Sequence, residues 1–470
     1  MTKNNKYKKF GFDKTAIAIT QVAHCILPTA DNFADFKIQR ATLSFPKQFG
    51  VLSALFAGLS PLSQVRLPQA FGIFICVFIK LATFSQNNSI HNHNSADSYK
   101  EYQDLKTELN KTLTKKVSKS KFRFVAYDSA DYKLNGVNYK NAFNELSIML
   151  LNDTSINVKR AVYIVENATL KNKITYNQYL KLIQSKVNLV NGTIKKEKLD
   201  PTNSDAIHYA IQKLYSDTIY QKQPNGTIKK IKPLYYDFND PFGEKNQTNQ
   251  MVTKLLITGK GQCHSMPLLY MILAEEFKVK SYLSYSPQHS FIKFQTKSGT
   301  WYNFETTNGR LTTDAFVLGS GFIKSEALKS NIFNTPHNPK QVIANMFIDL
   351  ANDYQERFGY DDFQQQCVNQ NFKYNSNYIY AKIVQSNYQT ALTDLALAQE
   401  NYPAPQNISY YPLINEQFQK RNAMYDDLDN VGYTSMPKEA YQVWLQSLKQ
   451  GQEKQNSEDL KFKFINQIKQ

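Results

Sequence analysis

The sequence predicts an α+β fold, and three observations carry that prediction. Amphipathic helical spacing fills much of 176–217. A short block, 266–305, combines one wholly apolar helical run with alternating, strand-like segments. Beyond about residue 336 the pattern is helical throughout. With 470 residues, 42% hydrophobic and 20% charged, the chain is long enough for two or three domains, and wholesale disorder is not expected. The boundaries that follow from composition and periodicity are a leader over 1–85, a mostly helical region over 86–232, a mixed core over 233–335 and a helical region over 336–470.

The leader is unlike the rest. QAFGIFICVFIKLATFS (69–85) is an apolar run preceded by Arg66 and followed by polar SQNNSIHNHNSADS, the layout of a secretory signal with a cleavage edge after Ser85. It falls short of the about 20 apolar residues of a membrane span, and Lys80 interrupts it. An exported protein, periplasmic or extracellular, is therefore expected, with a membrane anchor as the alternative if the segment is not cleaved. About 65 residues precede the run and include a second apolar stretch, VLSALFAGLSPLS (51–63), which points to an unusual extension or an over-long start. Cleavage after Ser85 would remove ten basic and three acidic residues and leave 46 against 36, a net +10 in place of +17. Nucleic-acid binding is not expected from that charge: basic runs occur only at TKKVSKSKFR (114–123) and TIKKIK (227–232), with no binding motif beside them.

In the second region, DSYKEYQDLKTELNKTL (97–113), YNQYLKLIQSKV (176–187) and SDAIHYAIQKLYSD (204–217) read as helices, and FRFVAY around 123–127 reads as a strand. In the third helix Ile207, Ile211, Leu214 and Tyr215 form the apolar face, which makes His208 a solvated neighbour. NGTIKK occurs at 191–196 and again at 225–230. Both copies read as Asn-Gly turns rather than as a repeat, and QKQPNGTIKKIK (221–232) reads as a hairpin. In the last region Ile343, Met346, Phe347, Leu350, Ala351, Tyr354 and Phe358 share a face closed by Gly359. A short helix carrying Phe363, Cys367 and Val368 follows, then another over 376–399, like stacked helix pairs of tetratricopeptide type. Such stacks bind a protein partner or brace a neighbouring domain.

The chemistry concentrates in TGKGQCHSMPLLYM (258–271). The four cysteines, Cys25, Cys76, Cys263 and Cys367, have no CxxC or Cys/His ligand spacing, so no metal site or disulfide framework is indicated. Cys367 lies on an apolar face and reads as a core thiol. Cys263 follows a glycine-spaced turn and precedes MPLLYMILAEEF (266–277), where Pro267 suits a first helical turn. At a helix N-terminus the dipole favours the thiolate, and the Cys263 N–H can donate to a developing oxyanion.

A nucleophilic cysteine needs a base, and the base an orienting group. His289 stands in SYLSYSPQHSFIKFQ (281–295), and in GTWYNFETTNGR (299–310) alternation aims Trp301, Asn303 and Glu305 at one face. Either Asn303 or Glu305 could hold the second ring nitrogen of His289. His264, next to the cysteine, diverges from it at a helix start and is set aside.

TGKGQCHSMPLLYMILAEEF, PQHSFIKF and WYNFETTNG together resemble the core of the transglutaminase-like superfamily of papain-type cysteine enzymes, over about 233–325. The resemblance implies a helix begun by the cysteine and packed on an antiparallel sheet whose strands carry histidine and acid, with Cys263 as nucleophile, His289 as base and Glu305 as third member. The chain departs from the family at Glu305, where aspartate in an Asp-Pro-Thr setting is more usual. The implied activity is acyl transfer from a protein or peptide substrate through a thioester, with hydrolysis of a peptide, amide or isopeptide bond favoured. The alternative is a binding or scaffold protein with an unused triad. No cofactor or metal is implied, and no DxDxDG calcium loop occurs.

Overall fold

The architecture is organised around one helix that is apolar on every side. The computed structural model describes residues 120–469 apart from 224, 242, 321 and 451–453, and the described residues belong to one compact unit within 99–470. The expected leader, its apolar run and the helix expected over 97–113 lie outside the described residues. No helix among the described residues is long and apolar enough to cross a membrane.

Among the described residues four helices come first, α1 (Ala130–Leu151), α2 (Val158–Thr169), α3 (Tyr176–Lys196) and α4 (Ser204–Ser216). A hairpin of β1 (Ile219–Lys222) and β2 (Ile228–Ile231) follows, then a short parallel pair made by β3 (Tyr235–Tyr236) and β4 (Lys260–Gly261), with α5 (Val252–Thr258) between them. Next comes α6 (Ser265–Glu276), in which Met266, Leu268, Leu269, Tyr270, Met271, Ile272, Leu273 and Ala274 are all buried. A helix without a polar face must be enclosed. Accordingly α6 packs against α2, α3, α4 and α5 and also against the sheet.

That sheet is an antiparallel meander of β5 (Tyr282–Ser286), β6 (His289–Gln295), β7 (Trp301–Glu305) and β8 (Arg310–Thr312), in sequence order. Ser286 pairs with His289, so only Pro287 and Gln288 turn the first hairpin. Gln288 sits at φ 59°, the left-handed conformation that a tight turn led by proline requires of its second residue. Ile292, Phe294, Tyr302 and Phe304 share one face; Phe304 meets Tyr270 and Tyr215, and Phe294 meets His208. The mixed helix and sheet content is that of an α+β protein.

Two short helices, α7 (Asp314–Ser320) and α8 (Ser325–Lys329), lead into the helical region: α9 (Pro339–Phe358), α10 (Asp362–Phe372), α11 (Ile379–Gln399), α12 (Pro412–Asn430), α13 (Lys438–Gln450) and α14 (Lys454–Lys469). α9 starts with a capping box between Asn338 and Gln341 and a proline in its first turn, and all seven apolar residues named above for its face are buried. It ends at Gly359, φ 103°, where an added Cβ would stand 2.5 Å from the Arg123 carbonyl oxygen. Only glycine admits that close passage.

Three local expectations are corrected. FRFVAY makes no strand: Phe124 forms a single bridge with Tyr360, because the backbone it pairs with among the described residues is the turn after α9. The first NGTIKK is helical, within α3. Tyr179, Ile183, Val187, Val190 and Ile194 bury one face, and that burial outweighs the turn preference of Asn191 and Gly192. The second copy is the hairpin turn, with Gly226 at φ 81°. His208 is not solvated but 1% exposed. Its Nδ1 lies 3.0 Å from the Tyr270 hydroxyl, and burial pushes its pKa down to about 4, so it is a neutral core residue.

Candidate functional site

Cys263 lies in the turn between β4 and α6. Gly261 precedes it with its Cα packed so closely on Ser265 that an added Cβ would fall 2.8 Å from the Ser265 hydroxyl. Gln262 is held from both ends: its N–H donates to Ser265 Oγ at 3.0 Å, and its side-chain amide donates to the Asp237 carbonyl at 3.1 Å. The turn is thus rigid on each side of the cysteine. The backbone N–H of Cys263 makes no hydrogen bond among the described residues, which leaves it available to an incoming oxyanion at the N-terminal end of α6.

The start of β6 comes to this turn. Ser290 Oγ donates to the Cys263 carbonyl, and the Cys263 Sγ lies 3.8 Å from the Gln288 carbonyl oxygen. Between Gln288 and Ser290 stands His289, 3% exposed, whose Nε2 is 2.6 Å from Glu305 Oε2. The register explains how a glutamate reaches it. Ile292 pairs with Phe304, so Glu305 falls opposite Phe291 and diagonal to His289 on the same face. Diagonal neighbours are farther apart than direct partners, and the extra methylene of glutamate spans the difference. Glu305 is itself fixed, its Oε1 accepting from the Thr307 N–H at 2.9 Å and from the Thr307 hydroxyl at 2.6 Å.

Asn303 faces the same side but donates from its amide to Asp314 Oδ1 at 2.8 Å, so Glu305 is the residue that holds His289. His264 turns away from the cysteine: Nδ1 is 3.1 Å from the Gln250 carbonyl oxygen and Nε2 is 3.2 Å from Asp349 Oδ2. Against the lowering effect of burial, Asp349 raises its pKa to about 10. Cys367 is buried in the helical region, and burial pushes its thiol pKa well up.

With Nε2 committed to Glu305, the ring nitrogen left for the thiol is Nδ1, which is buried and has no regular hydrogen-bond partner. Burial would lower the His289 pKa, but the charge of Glu305, the thiol and the hydrogen bond to Glu305 raise it to about 9. Burial would raise the Cys263 pKa, but His289, the Tyr441 hydroxyl and the charge of His264 bring it below the ordinary value. A low thiol beside a high imidazole is the electrostatic condition for a thiolate–imidazolium pair.

Several neighbours carry no signal in the sequence. The Tyr380 hydroxyl, from α11, accepts from the Gln288 N–H at 3.1 Å and donates to the Ser286 carbonyl at 3.3 Å, clamping the turn that presents His289. From α13, the Tyr441 hydroxyl lies 3.7 Å from Cys263 Sγ and 3.4 Å from the Tyr236 hydroxyl. The Trp444 ring stands edge-on to the His289 imidazole with centroids 4.4 Å apart. These contacts join positions 92 to 205 residues apart, beyond any local periodicity. No group of metal-ligating side chains occurs among the described residues. No family model, no curated protein and no solved structure matches this chain.

Proposed function

We propose that the chain is an exported cysteine-dependent acyl-transfer enzyme of transglutaminase-like type, with Cys263 as nucleophile, His289 as base and Glu305 as orienting acid. The observation that carries the proposal is the buried 2.6 Å pair of His289 Nε2 and Glu305, which leaves Nδ1 as the nitrogen that serves the lowered thiol.

In the first half-reaction the Cys263 thiolate attacks an amide carbonyl carbon and a C–S bond forms. The oxygen becomes an oxyanion beside the Cys263 N–H. The imidazolium of His289 then gives its Nδ1 proton to the departing nitrogen, the C–N bond breaks, and a thioester and a neutral amine result. In the second half-reaction water, or an amine, attacks the thioester while neutral His289 takes its proton. The acid or a new amide leaves, and the sulfur departs as thiolate. Glu305 keeps the imidazole in one orientation and favours its charged form. The signal-like leader supports export, where peptide and isopeptide bonds of proteins are at hand, and the α9–α14 region is the part suited to hold a protein partner.

The test is turnover of peptide and isopeptide substrates, together with incorporation of a fluorescent primary amine into a protein acceptor. Wild type should show one of these activities, and Cys263→Ala and His289→Ala should show neither; activity surviving Cys263→Ala would overturn the assignment. A second reading, a binding protein with an unused triad, draws on Tyr441 and Trp444 standing over the site. Under it no condition yields turnover or a trapped thioester.

A further inference from the structure

Of the side chains assigned to the chemistry, Cys263 is half-buried, whereas its two partners are closed off. His289 and Glu305 are each 3% exposed, and one face of α13 stands over the histidine and beside the cysteine. Tyr441, Trp444 and Leu445 recur at helical spacing on that face and are buried, while Val443 on the opposite face is 67% exposed. The Tyr441 hydroxyl flanks the sulfur at 3.7 Å and the Gln288 carbonyl flanks it at 3.8 Å. A carbonyl carbon about to be attacked must come within about 3–3.5 Å of that sulfur. Trp444 covers the imidazole that would protonate the leaving group.

We propose that α13 is an inhibitory roof: an acyl substrate gains Cys263 and His289 together only when α13 lifts from them. This rests on the reading of Cys263, His289 and Glu305 as a catalytic triad. The roof is built to come off. Trp444 Nε1 is buried without a hydrogen-bond partner, and a buried polar atom left unpaired opposes the closed arrangement. Lifting α13 returns the indole N–H to water, and exposes the imidazole that must carry the proton. The occupant of the site is a segment of the same chain, so the enzyme is held off without any other molecule and engaged when a substrate or partner captures the aromatic face of α13.

The experiment is alkylation of the full chain by iodoacetamide at pH 7.5, followed peptide by peptide by mass spectrometry. Cys367, buried and with a raised pKa, reports unfolding. Trp444→Ala should speed labelling of Cys263 by at least about tenfold while Cys367 stays unlabelled, because loosening α13 frees the side of the sulfur that Tyr441 flanks. Val443→Ala, on the exposed face, should leave the rate unchanged. The roof is overturned if Trp444→Ala leaves the rate unaltered with Cys367 protected. Should Trp444→Ala expose Cys367, Trp444→Phe is read instead, and an unaltered Cys263 rate there overturns it equally. The triad reading fails separately. If, in the Trp444→Ala background, His289→Ala leaves the pH dependence of Cys263 labelling unchanged, the thiol under α13 is not activated and there is nothing to inhibit.

Discussion

Replacing Glu305 by glutamine probes the electrostatics of the site with little change in volume. The His289 pKa stands at about 9 against 6.5 for a free imidazole. That difference corresponds to about 3 kcal/mol in favour of the charged ring, or roughly 300-fold in its population. Burial acts against it, and the charge of Glu305 is the foremost effect in its favour. A glutamine would keep Oε1 as acceptor for Thr307 and place its NH2 where Oε2 now meets Nε2. Nε2 must then accept, which moves the ring proton to Nδ1, the nitrogen that should take the proton from sulfur. With burial then opposed only by the thiol, the imidazole pKa falls from about 9, and the thiol, less supported by an imidazolium, titrates upward. Alkylation of Cys263 in Glu305→Gln should therefore be slower at pH 7 by roughly 10- to 100-fold. The assay is the iodoacetamide rate from pH 5 to 10. If the two proteins titrate alike, or wild-type Cys263 titrates near the free-thiol value of about 8.5, the reasoning is refuted.

Tyr380→Phe removes both hydrogen bonds that clamp the 286–288 turn while keeping the ring. A urea titration should show a loss of roughly 0.5–1.5 kcal/mol, and the Cys263 labelling pKa should rise; an unmoved labelling profile would deny Tyr380 a positioning role. His264→Ala deletes the ion pair with Asp349, and because its charge is a minor influence on the thiol, Cys263 alkylation at pH 7.5 should stay within about threefold of wild type. Burial raises the carboxyl pKa of Glu166 and of Asp353 to about 7. Between the ordinary carboxyl values and about 7 the folded chain holds protons that the unfolded chain has released, so stability is expected to fall as pH rises through that window. Thermal midpoints at pH 5 and 8 check the sign, and Glu166→Gln should flatten the dependence.

Local pattern reached the elements whose burial is periodic. The face of α9 and the run of α6 were visible because side-chain spacing alone states which side of a helix must be covered. Alternation in WYNFE aimed Asn303 and Glu305 the same way, and β7 keeps them there. Pattern misled where a local preference met a tertiary demand: Asn191 and Gly192 favour a turn but lie in a helix buried along its length, and His208 lies at a polar-looking position closed over by Phe294 and Tyr270.

Short-range pattern places a cysteine at a helix start, with a histidine and an acid on two strands after it, since those placements need only a glycine turn, an apolar run and a period of two. Tertiary structure alone decided between Asn303 and Glu305, because that choice depends on strand register and on Asp314 taking the amide. It alone showed that Tyr380 clamps the turn before His289 and that Tyr441 and Trp444 lie over the site. Contacts between residues so distant in the chain arise from packing of whole helices against the sheet, and no short-range spacing encodes them.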